Sequence, residues 1–173
     1  MKKAQIQLYT GDGKGKTTAA AGLAARALGH GWRVLFVQFM KNRKSGEIDF
    51  LTLCGGENFR VLRNWDGTFV LSRPNSEQAG MCRDLWKMSL EALKAESYDM
   101  VVFDEIAVAI SFGLLDEREV LDYLRMKPLS LEVVLTGQGA GKKLIEAADL
   151  VTEMKKVKHY YDNGVRARKG IEY

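Results

Sequence analysis

A chain of 173 residues that is 46% hydrophobic and holds only two prolines is long and apolar enough to bury its own core, which excludes a disordered or low-complexity protein. Two cysteines, Cys54 and Cys82, have no C-x-x-C spacing, so a disulfide framework and a thiolate metal site are excluded as well. No apolar run reaches the roughly 18 residues of a membrane span, and a net charge of +4 suits an anionic ligand without demanding nucleic acid. The expectation is one domain over residues 1–173 in a reduced, cytoplasmic setting, with no membrane partner.

Residues 5–10 read as a first strand, with Ile6 and Leu8 on one face. Residues 17–28 follow as an alanine-rich helix with Gly29 as its stop, and 33–39 form a near-continuous apolar strand of the kind buried on both faces. After a polar loop at 41–46, residues 47–53 are a short helical or irregular piece broken at Gly55 and Gly56, and 59–62 are a further strand. Little periodicity marks 63–74. Asn75 with Gln78 three residues on resembles a helix start, and the apolar spacing carries that helix to about Glu96.

Residues 98–104 are the strongest strand pattern and end in Asp104-Glu105. Asp116 with Glu119 predicts a capped helix through Leu124, closed by Pro128. A strand at 131–136, a loop at 137–141, a helix at 142–148 and a last strand at 150–154 complete the chain. Strands alternating with helices throughout predict an α/β fold, a mostly parallel sheet covered by helices on both faces, with ligands at the carboxyl ends of the strands.

The stretch from Thr10 to Thr18, Thr-Gly-Asp-Gly-Lys-Gly-Lys-Thr-Thr, lies between the first strand and the first helix. That context favours a phosphate cradle over a flexible turn: glycines let backbone N–H groups turn inward, Lys16 adds a point charge, and Thr17 offers a hydroxyl to magnesium. The pattern G-x-x-x-x-G-K-[ST] is met except that Thr10 stands where the first glycine belongs, so the loop entrance is altered. Asp104 and Glu105 at a strand end are the carboxylates that such a loop needs for a metal, held directly or through water. These residues point to nucleotide with Mg2+ or Mn2+, and leave open which bond of the nucleotide breaks. Arg26 on the first helix can reach a nucleotide or solvent, and six basic residues against one acid at 155–169 suit either a polyanion or a solvated surface.

The loop at 11–18, Gly29-His30-Gly31 with Val37-Gln38-Phe39, the strand ending in Asp104-Glu105, Thr136-Gly137-Gln138-Gly139, and the tail from Val157-Lys158-His159 to Gly170-Ile171-Glu172-Tyr173 together resemble the ATP:corrinoid adenosyltransferases of the cobalamin-synthesis type. The resemblance spans nearly the full chain. It implies a P-loop NTPase-like (RecA-like) fold and transfer of the 5′-deoxyadenosyl group of ATP to the cobalt(I) of a reduced corrinoid, with release of triphosphate, in cobalamin biosynthesis or salvage.

The implied partners are ATP, a corrinoid (cobalamin, cobinamide or cobyrinic acid diamide), a reductase or flavodoxin-type electron donor, and a second copy in a homodimer. The implied nucleotide and corrinoid residues are Gly11, Asp12, Gly13, Lys14, Gly15, Lys16, Thr17, Thr18, Arg26 and His159, with Lys16, Thr17 and Glu105 carrying catalysis and Thr17, Asp104 and Glu105 the metal. Trp65 and Phe69 occupy the loop whose aromatic rings, by the resemblance, crowd the lower face of the corrinoid and remove its axial ligand. The triphosphate is implied to lie in the loop in the reverse of its usual direction. The competing readings are a small-molecule kinase or ATPase, which would give ADP, and a RecA-like nucleic-acid motor, for which no basic stretch interleaved with aromatics is present.

Overall fold

The computed structural model describes residues 3–41, 45–65 and 75–173. Among these residues six strands are hydrogen-bonded into one sheet: β1 (Ile6–Thr10), β2 (Val34–Gln38), β3 (Phe59–Leu62), β4 (Met100–Asp104), β5 (Glu132–Thr136) and β6 (Leu150–Glu153). Their order is β3-β2-β4-β5-β1-β6, and every pairing is parallel. Each connection is therefore a crossover that returns the chain to the same starting edge, and all strands end at one rim. The predicted strands thus form, and the sheet is parallel throughout.

Helices α1 (Lys16–Gly29) and α2 (Gly46–Gly55) cover one face; α3 (Ser76–Ala95), α4 (Ile106–Ser111), α5 (Glu117–Met126) and α6 (Lys142–Ala147) cover the other. Period-two alternation sorts each strand between two cores. Val34, Phe36, Val102 and Val134 meet Ala20, Ala24 and Ala27 of α1, whereas Leu35, Val37, Val101, Phe103 and Leu135 meet Leu85, Trp86, Ile106 and Leu144. The small alanine face of α1 lets that helix lie close on the sheet, which fixes where its N-terminus points.

Local signals held where the partner lies nearby. Asn75 and Gln78 cap α3 reciprocally, Gln78 N donating to Asn75 Oδ1 at 2.7 Å and Asn75 N to Gln78 Oε1 at 3.1 Å. At α5 the cap is Asp116 acting alone, through Arg118 N at 2.8 Å, and Glu119 is simply an acid of the first turn. Helix α4 was not expected. Its six residues, Ile-Ala-Val-Ala-Ile-Ser, are too few and too uniformly apolar to display a helical period.

β1, which leads into the loop, and β4, which ends in Asp104, are separated by β5. The strand ends carrying the cradle and the acids therefore flank Thr136, the last residue of β5.

Candidate active site

Gly15 enters α1 with a left-handed φ of 117° and no side chain caps the helix, so the first-turn amides face the rim without a side-chain partner. Lys16 Nζ donates to Gly11 O and Gly13 O, each at 2.7 Å, which places the ammonium within the loop's own curve. The loop leans on the end of β6: Gly13 N donates to Met154 O at 2.6 Å, and Met154 N donates to Thr10 O at 2.8 Å. A Cβ on Gly13 would sit 2.7 Å from Met154 O, so the need for glycine at this position is steric. The altered entrance at Thr10 is the point where β6 takes hold of the loop.

Asp104 is fully buried and is the hub of the rim. Thr17 Oγ1 and Thr136 Oγ1 donate to its Oδ1 at 2.8 and 2.7 Å, and Lys41 Nζ and Gln38 Nε2 donate to its Oδ2 at 2.8 and 3.4 Å. Lys41 Nζ also donates to Thr17 Oγ1 at 2.9 Å. Burial pulls the Lys41 ammonium down, but the Asp104 carboxylate outweighs it by charge and hydrogen bond, with Glu105 and Glu47 adding to the effect, and the net shift is upward. Glu105 is also shifted upward, which here favours the neutral form: burial first, then the Asp104 charge, raise its carboxyl above the usual range against the pull of Lys41 and Lys16.

The C-terminal tail closes over this rim. Lys14 Nζ donates to Ile171 O at 3.0 Å, Tyr160 Oη at 3.1 Å and Glu172 Oε1 at 3.1 Å, while Tyr160 Oη donates to Glu172. The Arg168 guanidinium lies 4.8 Å from the Tyr160 ring centroid, and Arg168 N donates to Glu172 Oε2 at 2.6 Å. Glu172 is held well below the ordinary carboxyl range, first by the Tyr160 hydroxyl and then by Arg168 and Lys14. Loop, acids and tail enclose a cleft of about 490 Å³ walled by Lys16, Thr17, Lys41, Glu105, Ile171 and Tyr173.

Of the expected site residues, the structure brings together Gly11 through Thr18, Asp104 and Glu105. Asp12 is turned to the tail, accepting from Lys156 N at 2.8 Å, and the Lys14 ammonium is tied to the tail as well. Arg26 is not at the cradle: it is ten residues along α1 from Lys16, about 15 Å by helical rise, in a groove with Leu23, His30 and Trp32. His159 caps a short 3₁₀ turn at Tyr160–Asn163 by accepting from Tyr161 N at 3.0 Å, and its ring packs at a tilt of 55° against Tyr160, so it supports the tail. Trp65 is only 8% exposed and belongs to the core with Leu62, Leu85 and Trp86, which removes its ring from the open cleft. Phe69 lies outside the described residues.

Lys41, Met154 and Tyr160 were missed, and Thr136 entered only within the stretch Thr136-Gly137-Gln138-Gly139, without a role. Only the raised φ of the preceding residue, invisible in sequence, singles out Lys41; a threonine closing an apolar strand is the one signal that marks Thr136.

Among the described residues no group of three His, Cys, Asp or Glu side chains is placed to hold a metal. The donors at the rim are the Thr17 hydroxyl and the Asp104 and Glu105 carboxylates, all oxygen, with an ammonium already seated between two of them. This sparse oxygen set fits magnesium, which keeps several waters and takes further ligands from phosphate oxygens.

The chain is similar to known proteins over nearly its whole length. The chain is 38% identical over 172 residues to the corrinoid adenosyltransferase of Escherichia coli, covering 97% of this chain and 85% of that protein. It is 39% identical over 170 residues to the corrinoid adenosyltransferase CobA of Salmonella typhimurium, at 97% and 85% coverage, and 36% identical to that of Pseudomonas aeruginosa, at 97% and 83%. Among solved structures, a KaiC-like protein from Pyrococcus horikoshii superposes with a TM-score of 0.56 and 15% identity over 90% of this chain and 75% of that one, which places the fold in the RecA-like P-loop class. The profile of the ATP:corrinoid adenosyltransferase BtuR/CobO/CobP family matches residues 2–173, loop and closing tail included, and the chain is an enzyme of that family.

Proposed function

We propose that this enzyme transfers the 5′-deoxyadenosyl group of ATP to the cobalt(I) of a corrinoid and releases triphosphate. The electron pair of cobalt(I) forms the bond to C5′, the C5′–O bond breaks, and its electron pair leaves on the triphosphate oxygen. The nucleophile comes with the substrate, so no side chain has to remove a proton. What the protein must do is hold the two reactants in line and stabilise charge on the departing oxygens.

Lys16 and the first-turn amides of α1 serve that second task. Gly13 N–H is committed to Met154 O, so the cradle opens toward Lys14, Gly15 and Lys16 rather than around the whole loop. That asymmetry, with Thr10 at the entrance, supports a triphosphate lying in the loop in the reverse of the usual sense. Thr17 and Glu105 would hold magnesium, with Asp104 orienting Thr17 and anchoring the set; when bound, that ion neutralises charge developing on the phosphate oxygens. The tail, fixed through Lys14, Tyr160 and Glu172, shields this end of the cleft from water.

The remaining assignments are part of the same reading. Phe69 is the aromatic residue left to press on the lower face of the corrinoid, since Trp65 is in the core. A reductase or flavodoxin-type donor supplies one electron to cobalt(II). A cytoplasmic location accords with two free cysteines and with the absence, among the described residues, of any helix long and apolar enough to cross a membrane. The edge strand β6, exposed at Leu150 and Val151, suits a homodimer.

The observation that carries the proposal is the family match extending through residue 173 together with a tail that closes on the phosphate loop. It is tested anaerobically with reduced cobalamin, ATP and magnesium. A light-sensitive organocobalt absorbance is expected; ADP with no such absorbance would favour a kinase or ATPase.

A further inference from the structure

Among the described residues, Met40 (φ 56°) and Glu105 (φ 65°) are the non-glycine residues with left-handed backbone. They follow β2 and β4, which are paired in register from Val34↔Met100 to Gln38↔Asp104, so both strained turns lie side by side at the rim. At Glu105 the strain aims a carboxyl at the cleft. At Met40 it serves the next residue. Phe39 N donates to Asp104 O at 3.0 Å, pinning the end of β2, and the turn at Met40 then brings Lys41 back onto Asp104.

There the Lys41 ammonium contacts Thr17 Oγ1 and Asp104 Oδ2 together, at 2.9 and 2.8 Å. Thr17 gives its own proton to Asp104 Oδ1, so its lone pairs face Lys41. Those are the lone pairs a cation on Thr17 requires. A fully buried carboxylate is poorly tolerated without a positive partner, so some cation has to stand beside Asp104 at every stage. Two cations cannot share a space bounded by these oxygens.

We propose that Lys41 is a positioning residue that keeps the metal seat of this enzyme closed to a bare divalent ion: its ammonium holds Thr17 and Asp104 in register, and must leave before a metal can bind there. This rests on the metal role given above to Thr17, with Asp104 orienting it and anchoring the set. Lys41 is 31% exposed and already lines the cleft with Lys16, so an anion arriving in the cleft can receive the displaced ammonium, whereas a free metal ion brings nothing to receive it. The seat therefore discriminates for metal that arrives with polyphosphate over metal alone, and Lys41 becomes available to the phosphates only once that exchange has occurred.

The test is Mn2+ binding to the full chain, followed by the electron paramagnetic resonance signal of free Mn2+, without nucleotide and then with ATP. Lys41→Gln keeps a hydrogen-bond donor and removes the charge; it is expected to bind Mn2+ without nucleotide about tenfold more tightly than wild type, or better. Lys41→Arg keeps the charge and is expected to stay as weak as wild type. Adding Asp104→Asn to Lys41→Gln should abolish the gain. A Lys41→Gln protein no tighter than wild type, an arginine variant as tight as the glutamine one, or a gain that survives Asp104→Asn would overturn the inference.

A wild-type measurement stands beside these in case the variants do not fold. Acylation of Lys41 by a succinimidyl ester, mapped by mass spectrometry, should rise when excess Mn2+ saturates the protein without nucleotide, where no anion receives the displaced ammonium, and an unchanged yield would contradict the exchange. If wild type and Lys41→Gln both fail to bind Mn2+ even with ATP, the metal assignment itself is overturned and this inference with it.

Discussion

Thr136 and Asp104, at the ends of adjacent strands β5 and β4, share a 2.7 Å hydrogen bond in which the threonine hydroxyl donates to a fully buried carboxylate. The same hydroxyl accepts from Glu105 N at 2.9 Å, so one side chain orients both acids. Replacing it by the isosteric Thr136→Val leaves Asp104 short of a donor and the Glu105 amide without its acceptor. The expected cost is about 1–3 kcal/mol of unfolding free energy for the unsatisfied groups, measured by urea denaturation. Weaker metal dependence of the rate should accompany it.

Lys16→Ala removes the ammonium from the loop and, with it, two 2.7 Å bonds to Gly11 O and Gly13 O. By the scale of a lost charge-stabilising donor, kcat is expected to fall by about 10²–10³, equivalent to about 2.7–4 kcal/mol. Lys155→Ala, on an exposed tail position, is expected to stay within about twofold, the small effect usual for a surface change. Parallel steady-state assays would compare the two, and equal losses would argue against a leaving-group role for Lys16.

Gly13 has no positive φ, so Gly13→Ala isolates the steric term: the added carbon meets Met154 O at 2.7 Å and pushes the loop from β6. Nucleotide affinity is expected to drop by about tenfold or more, some 1.4 kcal/mol, with the melting temperature little changed. Equilibrium binding of ATP, alongside thermal melts, checks both halves.

Glu105 gives a pH dependence of definite sign. Its carboxyl is raised in the folded chain, so the fold favours the protonated form; that contribution to stability is complete below the ordinary value of about 4.3 and is lost as pH rises to the raised value. Glu105→Gln, which cannot ionise, should melt higher than wild type at pH 7, and the difference should vanish near pH 4. Activity runs the other way, because the ionised carboxylate is the proposed ligand: it should decline on the acid side beginning above pH 4.3. Melting curves across pH, paired with rates, would reveal whether the two profiles cross.

The tail depends on Glu172, whose carboxyl is depressed by Tyr160, Arg168 and Lys14. A depressed carboxyl stabilises its contacts above the ordinary value and loses them as pH falls through the folded one. Glu172→Gln is expected to speed chymotryptic cleavage near Tyr160 and Tyr161 several-fold at pH 7 while the sheet stays folded, as circular dichroism would show.

What the sequence made legible was local. The loop between β1 and α1, the acids closing β4 and the reciprocal cap of α3 each depend on residues within a few positions of one another. The misses are long-range or geometric. Lys41 reaches Asp104 across 63 positions, and the Lys14 ammonium is held by Ile171 across 157, so neither could be paired without the fold. Helix α4 hides in a uniformly apolar run, and Trp65 beside Leu62 was a core residue because β3 ends into the core just before it. Arg26 was a readable case: ten residues of helix carry it about 15 Å from Lys16, farther than an arginine reaches.

The central claim is that the bond broken lies between C5′ and the triphosphate, and the most direct measurement is the phosphate product of a single anaerobic reaction with cob(I)alamin, resolved by ³¹P NMR against the organocobalt formed. The account predicts intact triphosphate in one-to-one ratio with the new cobalt–carbon bond. Diphosphate nucleotide and orthophosphate in its place, with no organocobalt, would contradict it.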